Sequence, residues 1–262
     1  MTIIASLQGG LGNQMFQYAF TRNVSLIRGD GLKLYGNRLS KAKTPREFEL
    51  GKFGIALDYD DGDFRKLITE GTLEYNPYMK QIAINLPDKT LMYDGYFQSE
   101  KYFEENKGTI IKDFKWVDAS LSDETLEYKD KIQKYNKNCE TVAVHVRRSD
   151  YLDRDSVMEE LTAKYYLDAV RYIKSKFKNV WVICFSDDLK WCSDNIDIYD
   201  ECINVDSSDM YLMQLCKHQI IANSSFSWWA AYLNNNKKKI VIGPKKWFLT
   251  DTNPCPDSWI KM

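Results

Sequence analysis

Two short runs constrain this chain more than anything else in it: residues 141–146 (TVAVHV) and 180–185 (VWVICF) are β-branched and apolar with almost no polar alternation. A strand without a polar face must be covered on both sides, the condition inside a parallel sheet flanked by helices. Between them Tyr165, Leu167, Ala169, Val170 and Ile173 fall in a helical stretch over residues 162–177. Strand, helix and strand in that order make a βαβ unit, and the fold class is α/β.

The same alternation extends both ways. Residues 220–222 and 239–243 read as two more short strands, with a helix over residues 226–233 between them. Asp206 and Asp209 precede an apolar run ending at Cys216, a helix start with acids at the positive end of its dipole. At the N-terminus residues 3–7 run into Gln8-Gly9-Gly10-Leu11-Gly12-Asn13-Gln14. Met15, Phe16, Ala19, Phe20 and Ile27 follow at helical spacing, giving strand, tight glycine turn and helix. Residues 32–35 and 91–97 return as strands, whereas 58–63 and 71–77 are polar or breaker-rich loops. A boundary is expected within residues 115–122, ahead of a helix over 123–135. This divides the chain into domains 1–118 and 119–262, the first more irregular than the second.

Composition excludes several function classes. Across 262 residues, 36 basic side chains meet 37 acidic ones, so the chain lacks the basic surplus of a nucleic-acid binder. No stretch approaches the roughly 18 apolar residues of a membrane span, and no basic segment opens the chain; a cytoplasmic protein is expected. The six cysteines are irregularly spaced without a CxxC pair, which argues against a disulfide framework or a structural zinc site. Cys184 and Cys216 lie in apolar runs and read as small core hydrophobes.

Ligands of open α/β sheets bind outside the carboxyl ends of the strands, so polar residues just after strands are the candidates. Gly10, Gly12, Asn13 and Gln14 form either a phosphate cradle at a helix N-terminus or an ordinary tight turn. The third glycine of a dinucleotide fingerprint is missing, since Met15 stands in its place. His145-Val146-Arg147-Arg148-Ser149-Asp150 is the strongest signal. Two adjacent guanidiniums there either clamp a pyrophosphate, for which planar bidentate arginine is suited, or form an ion-pair cluster with Asp150, Asp153 or Asp155. Asp187 and Asp188 after residues 180–185 accept from ribose hydroxyls or a guanine edge, or else cap the next helix. Ser224 and Ser225 offer hydroxyls and helix amides to a phosphate, or again an N-cap. Trp228, Trp229 and Tyr232 are either a sugar platform or core.

Other chemistries find less support. The acidic pairs Asp153/Asp155 and Asp58/Asp60 match the DxD pattern of metal-dependent sugar transferases, but such pairs in polar loops are usually solvated surface. With His145 and His218 the only histidines, a His-rich metal site is excluded, and no GxSxG elbow is present.

Five segments carry a family resemblance: GGLGNQMFQYA at 9–19, GYFQSEKYF at 95–103, HxRRxD at 145–150, FSDD at 185–188 and NSSFSWW at 223–229. Together, over residues 3–247, the chain resembles bacterial α-1,2-fucosyltransferases of glycosyltransferase family eleven. The resemblance implies a GT-B arrangement of two Rossmann-like domains facing across a cleft, with an abbreviated N-terminal domain. It implies inverting transfer of L-fucose from GDP-β-L-fucose to the 2-hydroxyl of a terminal β-galactoside, with no metal or other cofactor. Such enzymes serve surface polysaccharide or O-antigen synthesis, so a lipid-linked acceptor would bring the protein transiently to the inner membrane.

Residue by residue, the resemblance implies that Arg147 contacts the β-phosphate and stabilises departing GDP, assisted by Arg148. Asn13 reaches the donor pyrophosphate, alongside Gly10, Gly12 and Gln14. His145 and Asp187 sit near the guanosine with Asp188, and Ser224, Ser225 and Phe226 near the phosphates and fucose. The general base is left among Asp150, Asp94 and Glu100. Three alternatives stand beside this reading: a nucleotide-sugar or glycan-binding protein without catalysis, a fucosyltransferase of another linkage, and a metal-dependent transferase using Asp153 and Asp155.

Overall fold

A computed structural model of the chain describes residues 2–41, 44–56, 66–69, 75–85, 91–148 and 158–262. They fall into two units, Met1–Ser120 and Leu121–Met262. The first contains β1 (Thr2–Ser6), α1 (Leu11–Arg28), β2 (Gly31–Tyr35), β3 (Lys66–Thr69), α2 (Pro77–Asn85), β4 (Leu91–Asp94) and α3 (Lys107–Asp113). Its sheet is parallel throughout, in the order β2-β1-β4-β3. Ile3, Ile4 and Ala5 of β1 are buried, as are Met15, Phe16, Ala19 and Phe20 along one side of α1. Burying each large apolar side chain contributes roughly 1.5–3 kcal/mol.

The glycine turn between β1 and α1 has a steric reason. Gly9 has φ +76°, and a Cβ there would lie 2.5 Å from the Asn13 carboxamide nitrogen, so only glycine fits. At the other end, Gly29 at φ +69° lets α1 stop in a left-handed residue. The strand expected over 91–97 is shorter, ending at Asp94, because the chain turns at Phe97 with φ +50° and tucks that ring against Phe20 at 4.2 Å.

The second unit contains α4 (Asp123–Asn136), β5 (Glu140–Val146), α5 (Ala163–Lys176), β6 (Val180–Ser186), α6 (Leu189–Asn195) and β7 (Glu201–Ile203). It continues with α7 (Asp209–Leu215), β8 (His218–Ile220), α8 (Ser225–Leu233), β9 (Val241–Gly243) and β10 (Ile260–Lys261). The sheet order is β10-β9-β8-β5-β6-β7, and every pair is parallel. Counted from β5, this is the Rossmann order 3-2-1-4-5-6. The apolar runs first noticed in the sequence are β5 and β6, adjacent at the centre, with Val142, Val144, Val182 and Cys184 against Ala169, Val170 and Ile173 of α5.

The strand expected over 220–222 begins earlier, at His218. Its polar residues bond within the fold: His218 Nδ1 accepts from the Ile240 amide at 3.0 Å, and the Gln219 nitrogen donates to the Met213 carbonyl at 2.6 Å. Trp228 and Trp229 are fully buried and Tyr232 nearly so, which makes them core and not an exposed sugar platform. Each unit is therefore Rossmann-like, as the GT-B class requires. The first is the abbreviated one, with four strands described against six in the second.

Candidate functional site

In the second unit the strand order reverses between β5 and β8, so the crevice of a doubly wound sheet opens at their carboxyl ends. The chain there presents His145 at the end of β5, Arg147 and Arg148 just after it, and the 223–226 segment after β8. The His145 and Phe226 rings, 5.7 Å apart, bridge the two. Segments of the second unit scattered in sequence thus meet because parallel strands all end on one side.

Asp187, at the end of neighbouring β6, organises the arginines. One carboxylate oxygen pairs with the Arg147 guanidinium at 3.0 Å and the other accepts from the Arg148 amide at 3.0 Å. Asp187 thus ties the two arginines to the end of β6. Asp188 caps α6, accepting from the Trp191 amide at 2.9 Å, and lies 3.7 Å from Arg148 Nε. The Arg148 guanidinium stacks over the Trp191 ring at 4.2 Å and reaches Glu160 at 3.5 Å. Of the ion-pair partners first considered, Asp150, Asp153 and Asp155 lie outside the described residues. The carboxylates observed come instead from β6, α6 and the stretch before α5.

Two buried polar atoms at this crevice have no hydrogen-bond partner among the described residues, His145 Nδ1 and Arg148 Nε. Such atoms cost about 1–3 kcal/mol each unless a ligand meets them. Burial, reinforced by the Arg147 charge, pushes the His145 pKa down to about 3. The imidazole is therefore neutral at physiological pH. It can exchange hydrogen bonds with a ligand but does not add a third positive charge.

Across the switch point α8 begins at Ser225, with Ser224 as an N-cap whose hydroxyl makes no capping bond. The loop before it is pinned by buried Asn223, which donates to the Glu159 carbonyl at 2.7 Å and the Trp247 carbonyl at 2.9 Å. The first-turn amides of α8 and the Ser224 and Ser225 hydroxyls thus lie together at a helix start, the chemistry that suits an anion.

The first unit has its own reversal, between β1 and β4. Gln98 donates to Asn13 at 2.8 Å and Gln17 to the Gly95 carbonyl at 3.1 Å, so the two N-terminal motifs are cross-linked there. Gln14 is fully buried, donates to the carbonyls of Gly9 and Glu47 and accepts from the Glu49 amide, so its side chain braces the turn from inside. The Leu11 amide at the start of α1 is likewise occupied, by the Glu49 carboxylate at 3.0 Å. Gly10, Gly12 and Asn13 remain at the turn, with Gly10 open above its Cα.

The base candidates separate by surroundings. Asp94, at the carboxyl end of β4, is buried and paired with Arg38 at 2.5 Å. Glu100 pairs with Lys107 at 3.4 Å, and Asp150 lies outside the described residues, as does Asp58/Asp60. A groove of about 580 Å³ in the first unit, lined by Tyr18, Phe53, Lys112, Asp113 and Trp116 among others, contains none of the candidate residues.

The spacing argument against metal did not foresee one juxtaposition: Cys184, Cys192 and Cys202 converge, their sulfurs within 4.8 Å of one another. A sequence signal of that kind would need to span a strand, a helix and a second strand. Among the described residues no helix is long and apolar enough to cross a membrane.

The family model for glycosyl transferase family 11 matches residues 2–253. The chain belongs to glycosyl transferase family 11. The transferase is 34% identical to an alpha-1,2-colitosyltransferase of Escherichia coli over 99% of this chain and 98% of that one. It is 28% identical to the O-antigen biosynthesis glycosyltransferase WbnK of Escherichia coli, over 98% and 99% of the two chains. With the galactoside 2-alpha-L-fucosyltransferase Sec1 of Mus musculus it shares 26% identity over 87% of its own length and 63% of that protein's. In fold, the transferase resembles the fucosyltransferase NodZ from Bradyrhizobium (TM-score 0.53, 15% identity, 88% of this chain and 93% of that one). It also resembles Arabidopsis thaliana FUT1 solved with GDP (TM-score 0.52, 12% identity, 95% and 72%).

Proposed function

We propose that the transferase moves L-fucose from GDP-β-L-fucose to the 2-hydroxyl of a terminal β-galactoside, forming an α-1,2 linkage with inversion, in O-antigen or surface polysaccharide synthesis. The observation that carries this reading is the pair Arg147 and Arg148 at the carboxyl end of β5, beside the switch point and held by Asp187. The names of its relatives, fucosyl- and colitosyltransferases of α-1,2 linkage, support the sugar class and the linkage.

In this mechanism the bond between fucose C1 and the β-phosphate oxygen breaks as the acceptor oxygen bonds to C1 from the opposite face. The acceptor proton leaves, and negative charge accumulates on GDP. Arg147 meets that charge at the β-phosphate, and preorganised guanidiniums strengthen their contact as it develops. Arg148, fixed on Trp191, assists. Arginines in this role do what a divalent ion does in other transferases, so no metal is required for transfer. The α8 start with Ser224 and Ser225 receives phosphate, and neutral His145 with Phe226 receives the donor beside it. Asp150 takes the proton; little basicity is demanded of it if the transition state is loose and oxocarbenium-like.

A second reading keeps every step and exchanges the sugar, with a colitosyl group in place of fucosyl; the 34% identity to the colitosyltransferase favours it. Incubation with lactose and either GDP-fucose or GDP-colitose in EDTA, with GDP release and product linkage read by NMR, tests both. An α-1,2 product from GDP-fucose is the expected result. Turnover with GDP-colitose alone selects the second reading, and GDP binding without turnover on any galactoside rejects catalysis.

A further inference from the structure

Cys184 of β6 and Cys202 of β7 are register partners on adjacent parallel strands, and Cys192 of α6 packs over them. Cys184 and Cys192 sulfurs are 3.8 Å apart, and all three lie within 4.8 Å of one another as free thiols. An ion with metal–sulfur bonds of about 2.3 Å holds tetrahedral sulfurs about 3.8 Å apart, which is the Cys184–Cys192 separation, and Cys202 lies within reach of the same point. The geometry points to a three-cysteine site for a thiophilic divalent cation of the zinc class, bound by Cys184, Cys192 and Cys202.

The surroundings suit such an ion. Thiolates select zinc-like over magnesium- or calcium-like cations. The Ser186 hydroxyl bonds Cys192, the outer-shell contact that orients a ligating side chain. Cys202 is only partly buried and belongs to β7, the edge strand, which supplies an entry path. Three protein ligands leave the fourth position to water or an exogenous group.

The ion would tie β6 and α6, the elements that flank the Ser186-Asp187-Asp188 turn, to the edge strand β7. Its role is to stabilise that corner of the second unit, and it neither contacts donor nor takes part in transfer. The site stands whether or not the GDP-fucose reading holds.

Cadmium titration of the fully reduced, metal-stripped protein tests it. The expected result is one equivalent bound per chain, with an ultraviolet thiolate-to-metal band, release of protons and a raised thermal midpoint. Cys202→Ser and Cys192→Ala should lose the band while keeping a native circular dichroism spectrum, and Cys139→Ser, outside the cluster, should keep it. Cys202→Ser alters the partly exposed member and is the safer variant for folding. The site is overturned if the reduced wild type shows no stoichiometric band, or if the band survives undiminished in a folded Cys202→Ser protein. It is equally overturned if mild oxidation joins Cys184 to Cys192 in a protein that never takes up metal.

Discussion

Arg147 is half-buried, paired with Asp187, and follows directly on a strand buried from Thr141 to Val146. That placement fixes a planar donor where a diphosphate would leave, and planarity is the property lysine lacks. Arg147→Lys and Arg147→Ala should both lower kcat by roughly 10²–10³ or more, on the scale of one oxyanion-hole donor, while leaving the fold intact. Steady-state GDP release beside a circular dichroism spectrum checks this, and a near-normal rate in Arg147→Lys would remove the bidentate role. Gln14 makes the opposite prediction. Removing a buried carboxamide with three partners should destabilise by about 2 kcal/mol or more with GDP affinity unchanged, as urea denaturation and calorimetry would show. His145 titrates at about 3 when folded, below its unfolded value near 6.5, so the unfolded chain binds the proton first. Its contribution to stability is complete above about pH 6.5 and falls as pH drops toward 3, by at most about 1.4 kcal/mol per pH unit. A His145→Gln protein should lose that slope in urea midpoints taken between pH 4 and 6.5.

At the scale of elements, α7 carries an opposing titration. Asp209 sits in its first turn, where the dipole favours a carboxylate, yet burial and the nearby Asp206 and Glu124 charges raise its pKa to about 7. The folded state therefore resists ionisation: its advantage is present below about pH 4 and lost as pH rises through 7. Asp209→Asn should stabilise on the order of 3 kcal/mol at pH 8 and little at pH 4, measured by chemical denaturation at both values. The elements also show what a sequence can disclose. β5, α5 and β6 were legible because a strand buried on both faces and an amphipathic helix leave unmistakable periods. β3, β7 and β10 were not, being two to four residues long and holding their place by pairing alone. The start of β8 was hidden by His218 and Gln219, polar residues whose partners lie in β5 and at the end of α7. The arginines could be singled out because charge directly after an apolar strand demands an explanation, whereas the role of Asp187 in holding both depended on β6 lying beside β5. The cysteine cluster left no local trace, since register and helix packing create it.

At the scale of the whole molecule, the motif segments lie at or just after carboxyl strand ends of two parallel sheets. Residues 9–19 follow β1 and 95–103 follow β4 in one unit, while in the other 145–148 and 185–188 span the ends of β5 and β6 and 223–229 follow β8. The central claim is that the second unit's reversal holds the GDP moiety. Hydrogen exchange with and without GDP, read by mass spectrometry across the full chain, tests it most directly. Slowed exchange in peptides covering residues 145–148, 186–191 and 223–227 is the predicted result, and protection confined to other segments would contradict it.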